Sequence, residues 1–169
     1  MTLSVLERGS KSLKSSTVIS DSSMPYLVTF LSGNRIALVC SESLSVYDLN
    51  GNCKNIFTYP GKLSRVAYTS GGIAMLFDES GASADELLVV FDDNGDMKVT
   101  AKIRGNVSDM KMNKDNLILL CDDKIKRVDS TFGHTSVEEF TEEGARLVLT
   151  SGGELIACTS SLAYYVSFK

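Results

Sequence analysis

Apolar and polar residues follow a repeating order along this chain. Four short apolar runs stand out: Ile36-Ala37-Leu38-Val39-Cys40, Ile73-Ala74-Met75-Leu76-Phe77, Leu117-Ile118-Leu119-Leu120-Cys121 and Leu155-Ile156-Ala157-Cys158. Unbroken apolar character over so short a length, bounded by turns, predicts strands buried on both faces. Each run follows a turn signal: Ser32-Gly33-Asn34, Ser70-Gly71-Gly72, Lys114-Asp115-Asn116 or Ser151-Gly152-Gly153. Gly and Asn tolerate the positive φ that tight hairpins demand. An alternating segment precedes each turn, at residues 26–31, 63–69, 107–112 and 145–150. A further strand ending in an acid follows the first three runs: Leu44 to Asp48 before Asn50-Gly51, Leu88 to Asp92 before Asn94-Gly95, and Ile125 to Asp129 before Gly133. A degraded copy, Leu3-Ser4-Val5-Leu6-Glu7-Arg8-Gly9, opens the chain. More polar strands, at 53–59, 97–103 and 135–140, close the three central units.

The four apolar runs begin at residues 36, 73, 117 and 155, and the long middle interval contains an insertion at 78–85. Four antiparallel strands about every 40 residues are the signature of a propeller blade. The predicted fold is therefore all-β and β-propeller-like, about four blades of four antiparallel strands, with a partial ring as one form of it. It is a single domain over 1–169, with full blades at 22–61, 62–105 and 106–144, a partial blade or closing strands at 1–21 and a partial blade at 145–169. A seven-strand sandwich is the rival, but it does not require one turn order three times over. The best helical segment is 136–144, and it is short. Two accounts fit the ends: a strand near Thr17-Val18-Ile19 closes a small ring, or the chain is part of a longer propeller whose edges a second copy or further blades cover. The extra strand at 3–7 favours the second.

Composition adds little. A 43% apolar and 22% charged share is that of an ordinary globular domain. A net charge of −4, with scattered Lys and Arg, gives no electrostatic footprint for nucleic acid. No apolar run approaches the ~18 residues of a membrane span, so no membrane insertion by this segment is expected. Cys40, Cys53, Cys121 and Cys158 form no C-x-x-C pair, and Cys40, Cys121 and Cys158 lie in equivalent apolar strands, which reads as free structural thiols in a reducing or anaerobic setting.

Chemistry-bearing candidates are few. The segment Asp92-Asp93-Asn94-Gly95-Asp96 concentrates hard oxygen ligands, so Asp92, Asp93, Asn94 and Asp96 are the metal candidates. Its glycine falls at the fourth position rather than the sixth of a calcium loop, which favours an ordinary hairpin turn and no metal. The recurring acids Asp48, Asp92 and Asp129 either share one rim, as a cation site or catalytic channel needs, or each caps its own turn; capping is the better reading. His134 is the sole histidine and lies in a turn. The Tyr164-Tyr165 pair offers one ring to each face of a strand. The insertion Glu79, Ser80, Gly81, Ala82, Ser83, Ala84 and Asp85 is the first choice for a binding loop, because irregular insertions on rigid scaffolds are where recognition concentrates.

Several stretches carry a family likeness: Met24-Pro25-Tyr26-Leu27-Val28, Tyr47-Asp48-Leu49-Asn50-Gly51, Arg65-Val66-Ala67-Tyr68-Thr69-Ser70-Gly71-Gly72, Val90-Phe91-Asp92-Asp93-Asn94-Gly95, and the ending from Leu149-Thr150-Ser151-Gly152-Gly153 to Thr159-Ser160-Ser161. In these the chain resembles the C-terminal half of an uncharacterised family of bacterial, mainly Gram-positive, membrane-anchored proteins with a propeller-like extracytoplasmic region. WD-repeat proteins resemble it less, since it contains no tryptophan. The resemblance implies an extracytoplasmic location, with the cytoplasm as the alternative, and transfers no catalytic residue. The expected function is a non-enzymatic binding or scaffold module for a protein, peptide or glycan, without a cofactor. The alternatives are a propeller hydrolase or lyase with carboxylates in its channel, and a fragment that self-associates as a homodimer through open edge strands.

Overall fold

The computed structural model describes residues 1–6, 9, 12–19, 23–78, 85–113, 116–122, 124–129 and 134–168. Among them there are seventeen strands and no helix. Three sheets have four strands each. The first holds β3 (Pro25–Leu31), β4 (Arg35–Cys40), β5 (Ser43–Asp48) and β6 (Cys53–Thr58). The second holds β7 (Lys62–Thr69), β8 (Gly72–Asp78), β9 (Glu86–Asp92) and β10 (Met97–Ile103), and the third β11 (Val107–Met112), β12 (Asn116–Cys121), β13 (Lys124–Asp129) and β14 (Thr135–Glu139). A three-stranded sheet follows, made of β15 (Arg146–Leu149), β16 (Leu155–Cys158) and β17 (Ala163–Val166), and a two-stranded one precedes them, made of β1 (Thr2–Leu6) and β2 (Leu13–Val18). Every pairing is antiparallel between strands consecutive in sequence, which is a blade meander. The strand β2 pairs with β1 and not with β17. The helical tendency of 136–144 is overruled: Thr135–Glu139 alternates between exposed and half-buried positions and pairs along β13.

The sheets stack face to face in chain order, and alternation within a strand decides which neighbour each side chain meets. In β8, Ile73, Met75 and Phe77 pack with Val39 and Val46 of the first sheet, whereas Ala74 and Leu76 pack with Leu117 and Leu119 of the third. Two buried faces require apolar residues at both parities, which is why the run 73–77 shows no alternation. Likewise Ile118 and Leu120 turn the other way from Leu119, toward Leu147, Leu155 and Ala157 of the last sheet. The outer strands β6, β10 and β14 meet solvent on one side and alternate accordingly. The first strand of each unit lies at the common axis, with β11 against both β7 and β15.

Buried carboxylates bind neighbouring sheets together. Glu86, at the start of β9, accepts the Ser64 hydroxyl on one oxygen and the Val107 N–H of the third sheet on the other, at 2.9 Å. Asp109, on β11, accepts the Leu147 N–H of the last sheet at 2.7 Å through Oδ2 and its neighbour's Met110 N–H at 2.8 Å through Oδ1. From the other side, Arg65 and Arg146 both donate to the Ser108 carbonyl, at 3.2 and 2.9 Å. Among the described residues no ladder of backbone hydrogen bonds joins one sheet to the next; a single backbone bond from the Ser32 N–H to the Ser70 carbonyl, at 2.6 Å, these side-chain bonds and the apolar contacts fix the spacing around the axis.

Candidate functional site

Two of the recurrent turns share one construction. After β5 and β9 the chain reverses through Asp48-Leu49-Asn50-Gly51-Asn52 and Asp92-Asp93-Asn94-Gly95-Asp96. Gly51 and Gly95 have φ of 85° and 83°, the left-handed region in which a Cβ is penalised. A Cβ on Gly95 would also stand 2.6 Å from Val46 Cγ2, so this turn packs tightly on the first sheet. Asp48 Oδ1 accepts the N–H groups of Asn50 and Asn52, both at 2.9 Å, and Asp92 Oδ1 accepts those of Asn94 and Asp96 at 2.8 and 3.0 Å. The second oxygen meets a lysine six residues on: Lys54 at 3.2 Å from Asp48, Lys98 at 2.9 Å from Asp92. The aspartates thus serve as Asx caps of their own turns, each with its own cation.

The electrostatics follow. The Asn52 side-chain amide, then the Asn52 backbone N–H, hold the Asp48 carboxyl far below its ordinary 3.8. Burial works to raise the Asp92 carboxyl, but the Lys98 ammonium and the N–H groups of Asp96 and Asn94 outweigh it and keep it below the same value. In turn the Asp92 carboxylate raises the Lys98 ammonium. A carboxylate depressed in the folded chain stabilises it above the unfolded value, and that contribution disappears as pH falls through the folded value. Stability is therefore expected to hold from neutrality to about pH 4 and to decline below it, toward pH 2. Urea unfolding at pH 7 and pH 3 tests this: Asp92→Asn should cost stability at pH 7 and flatten the decline. An unchanged slope in that variant would sink the assignment.

The turn at Asp92 forms one wall of a cleft of about 150 Å³ between the second and third sheets. Ala74, Val90, Val99, Met112 and Leu117 give it an apolar floor, and Asp92, Lys98, Asn113, Asn116 and Asp129 give it a polar rim. Asn113 Oδ1 accepts the Asn116 N–H at 2.7 Å, which fixes the third-sheet side of the rim. Asp92 and Asp129 therefore meet at one cleft, whereas Asp48 stays in its own turn on the first sheet. Asp93 lies 3.9 Å from Arg35 and Asp96 accepts the Asn55 amide at 3.2 Å, so both face the first sheet instead. Among the described residues, no group of three or more His, Cys, Asp and Glu side chains is placed to hold a metal ion.

The other sequence candidates disperse. Of the insertion, Glu79 to Ala84 lie outside the described residues, and Asp85 is half-buried beside β9. His134 is exposed at the start of β14, its carbonyl accepting the Asp129 N–H. Tyr164 packs edge-on against Phe140 with ring centroids 5.6 Å apart, and Tyr165 points outward. None of the four cysteines forms a disulfide; Cys40 and Cys121 are buried, Cys53 is exposed and Cys158 lies between, and burial pushes the Cys121 thiol up. Among the described residues no helix is long and apolar enough to cross a membrane.

Comparison with known proteins agrees with this architecture. Residues 10–161 match a family described as a family of unknown function, DUF5711. No curated protein matches the sequence. Among solved structures, the chain is similar to the WD40 domain of Pan2 from Neurospora crassa, with 10% identity and a TM-score of 0.66 over 92% of this chain and 52% of that one. It is similar to BBS1N, solved in complex with ARL6DN, with 13% identity and a TM-score of 0.66 over 96% of this chain and 52% of that one. It is also similar to a protein of unknown function from Bacteroides caccae, with 8% identity and a TM-score of 0.54 over 92% of this chain and 60% of that one. The chain spans between half and three fifths of the length of these structures. At such identities the likeness is one of fold, and the fold is the β-propeller.

Proposed function

We infer that this chain, which belongs to the family of unknown function DUF5711, acts as a β-propeller scaffold that binds a protein or peptide segment at the cleft between its second and third sheets. The cleft carries the reading. An apolar floor ringed by a few fixed polar groups is the ordinary form of a recognition pocket. Its size suits one side chain with an apolar stem and a polar tip, seated between Lys98 and the Asn113–Asn116 pair. Sugars stack their C–H faces on open aromatic rings, and the cleft's one ring, Phe91, is buried, which favours a peptide over a glycan. The depressed carboxyl of Asp92, spent on its own turn and on Lys98, is a poor general acid, which weighs against hydrolytic chemistry.

The test is selection of binders from a random peptide library on the 169-residue chain, followed by the variant Lys98→Glu/Met112→Glu. Binders should weaken by at least about tenfold, equivalent to about 1.4 kcal/mol, while cooperative unfolding persists at a lower midpoint, since Lys98 pairs with Asp92 and Met112 packs on the core. Failure to enrich any peptide, or peptides indifferent to the variant, would rule the cleft out.

The family resemblance supports placing this module in the extracytoplasmic part of a membrane-anchored bacterial protein. Protease accessibility on intact cells would distinguish that from the cytoplasm.

A further inference from the structure

Side chains of the outer strands latch one sheet to the turn of the next. Ser15 and Thr17 of β2 donate to the Leu49 and Gly51 carbonyls in the turn of the first sheet, at 2.8 and 2.7 Å. Asn55 of β6 donates its amide to the second sheet's turn, to the Gly95 carbonyl at 2.7 Å and Asp96 Oδ1 at 3.2 Å. Both junctions are tight. A Cβ on Gly51 would run into the Thr17 hydroxyl, and one on Gly95 would stand 3.3 Å from the Asn55 Cβ. Register identifies the corresponding residue between the second and third sheets. Ser15 pairs with Val5, Asn55 with Val46 and Val99 with Val90, each beside the same irregularity in its ladder. Val99 of β10 therefore stands where the latch belongs, and its side chain has no donor. It packs on the apolar cluster that the second and third sheets share, and it lines the cleft.

We propose that the cleft is the unlatched junction, and that its occupant supplies the missing group: the carboxamide of a glutamine side chain on the partner peptide. This rests on the reading of the cleft as the binding site and adds what that site selects. Two observations point to a carboxamide. The junction between the first and second sheets holds the chain's own version, the Asn55 amide bonded to the facing turn. The cleft's rim is also of mixed sign, with the Asp92 and Asp129 carboxylates as acceptors and the Lys98 ammonium as donor. A carboxamide brings two N–H donors and a carbonyl acceptor, and so answers both. A carboxylate brings no donor and meets two like charges, whereas an ammonium brings no acceptor and meets one. Glutamine follows from the approach: its two methylenes lie over Met112 and Leu117 while its tip reaches the rim. A site that hydrogen-bonds its ligand rejects an analogue lacking those groups more strongly than an apolar pocket rejects a misfit.

The test is an NMR titration of the methyl-labelled 169-residue chain. The probes are N-acetylglutamine methylamide and its methionine and glutamate counterparts, each to about 50 mM, a range suited to one anchored side chain. The Val99 and Met112 methyls should shift and saturate with the glutamine probe, and the other two should bind at least about tenfold more weakly. Val99→Asn should latch the junction from within, raising the urea midpoint and weakening the glutamine probe at least about tenfold. If that variant unfolds, Val99→Thr, which keeps the shape of valine and adds a hydroxyl, replaces it. Equal response to the glutamine and methionine probes would overturn the proposal, as would an unaltered glutamine affinity in the Val99 variant. So would the absence of any shift at these methyls. Peptides that bind through the cleft without a carboxamide anchor would sink the proposal and leave the cleft as the binding site. Peptides indifferent to Lys98→Glu/Met112→Glu would remove the site, and this proposal with it.

Discussion

Replacing Phe77 by alanine is expected to destabilise the chain by about 3–5 kcal/mol, the range for deleting a buried aromatic ring. Phe77 is fully buried at the end of β8, between the first and second sheets. Its ring lies 5.0 Å from Tyr59 and 6.3 Å from Phe57, and Phe57 in turn meets Phe91 edge-on at 4.9 Å. The four rings come from β6, β8 and β9 and from the residue after β6, so they tie the polar outer strand of one sheet to the apolar middle of the next. Tyr59 cannot follow a shrinking core, because its hydroxyl donates to the Ser43 carbonyl at 2.6 Å. The cavity is therefore expected to persist rather than collapse, which places the cost in the upper part of the range. A domain of this size has about 5–15 kcal/mol in total. Urea unfolding checks the expectation: the midpoint should drop sharply with an unchanged m-value. A shift worth less than about 1 kcal/mol would mean that the first two sheets do not pack through this cluster.

Asp109→Ala is the second large effect, expected at about 3 kcal/mol, since a buried N–H left without an acceptor costs about 1–3 kcal/mol and the lost bond is charge-assisted. The substitution strands the Leu147 N–H and frees Lys111, 3.4 Å from Oδ1. Its signature is local as well as global. The sheet β15–β17 is held by this bond, by the Arg146–Ser108 bond and by one apolar face. Amide exchange should accelerate through β15–β17 first, while β8 and β9 keep their protection. Asp109→Asn is expected to rescue only in part, because its carbonyl replaces one of two accepting oxygens.

The sequence showed the units plainly because burial on two faces writes itself into a run such as 117–121, and because Asn50-Gly51 and Asn94-Gly95 announce their turns by backbone chemistry alone. The side-chain bonds between sheets were not legible. Asp109 looks like the polar member of an alternating strand, and the N–H it accepts is 38 residues away. The irregularity between Val107 and Asp109 turns Asp109 to the face of Leu120, opposite Val107, so simple alternation does not place it. The cleft was missed for a related reason. Its lining joins residues 71–99 to 112–129 across two sheets, and only the stacking order brings them together. The two turns, by contrast, needed nothing from elsewhere in the chain, and Asp48 and Asp92 cap them as their local chemistry suggests.

The central claim is that the chain is a series of separate antiparallel blades, held around an axis by side chains rather than by one continuous sheet. The cross-strand Hα–Hα and amide NOE pattern of the labelled chain tests it most directly. Ladders are expected for β3 through β6, for β7 through β10 and for β11 through β14, with none joining β6 to β7, β10 to β11 or β14 to β15. A backbone ladder across any of those three boundaries would merge the units into a sandwich and contradict it.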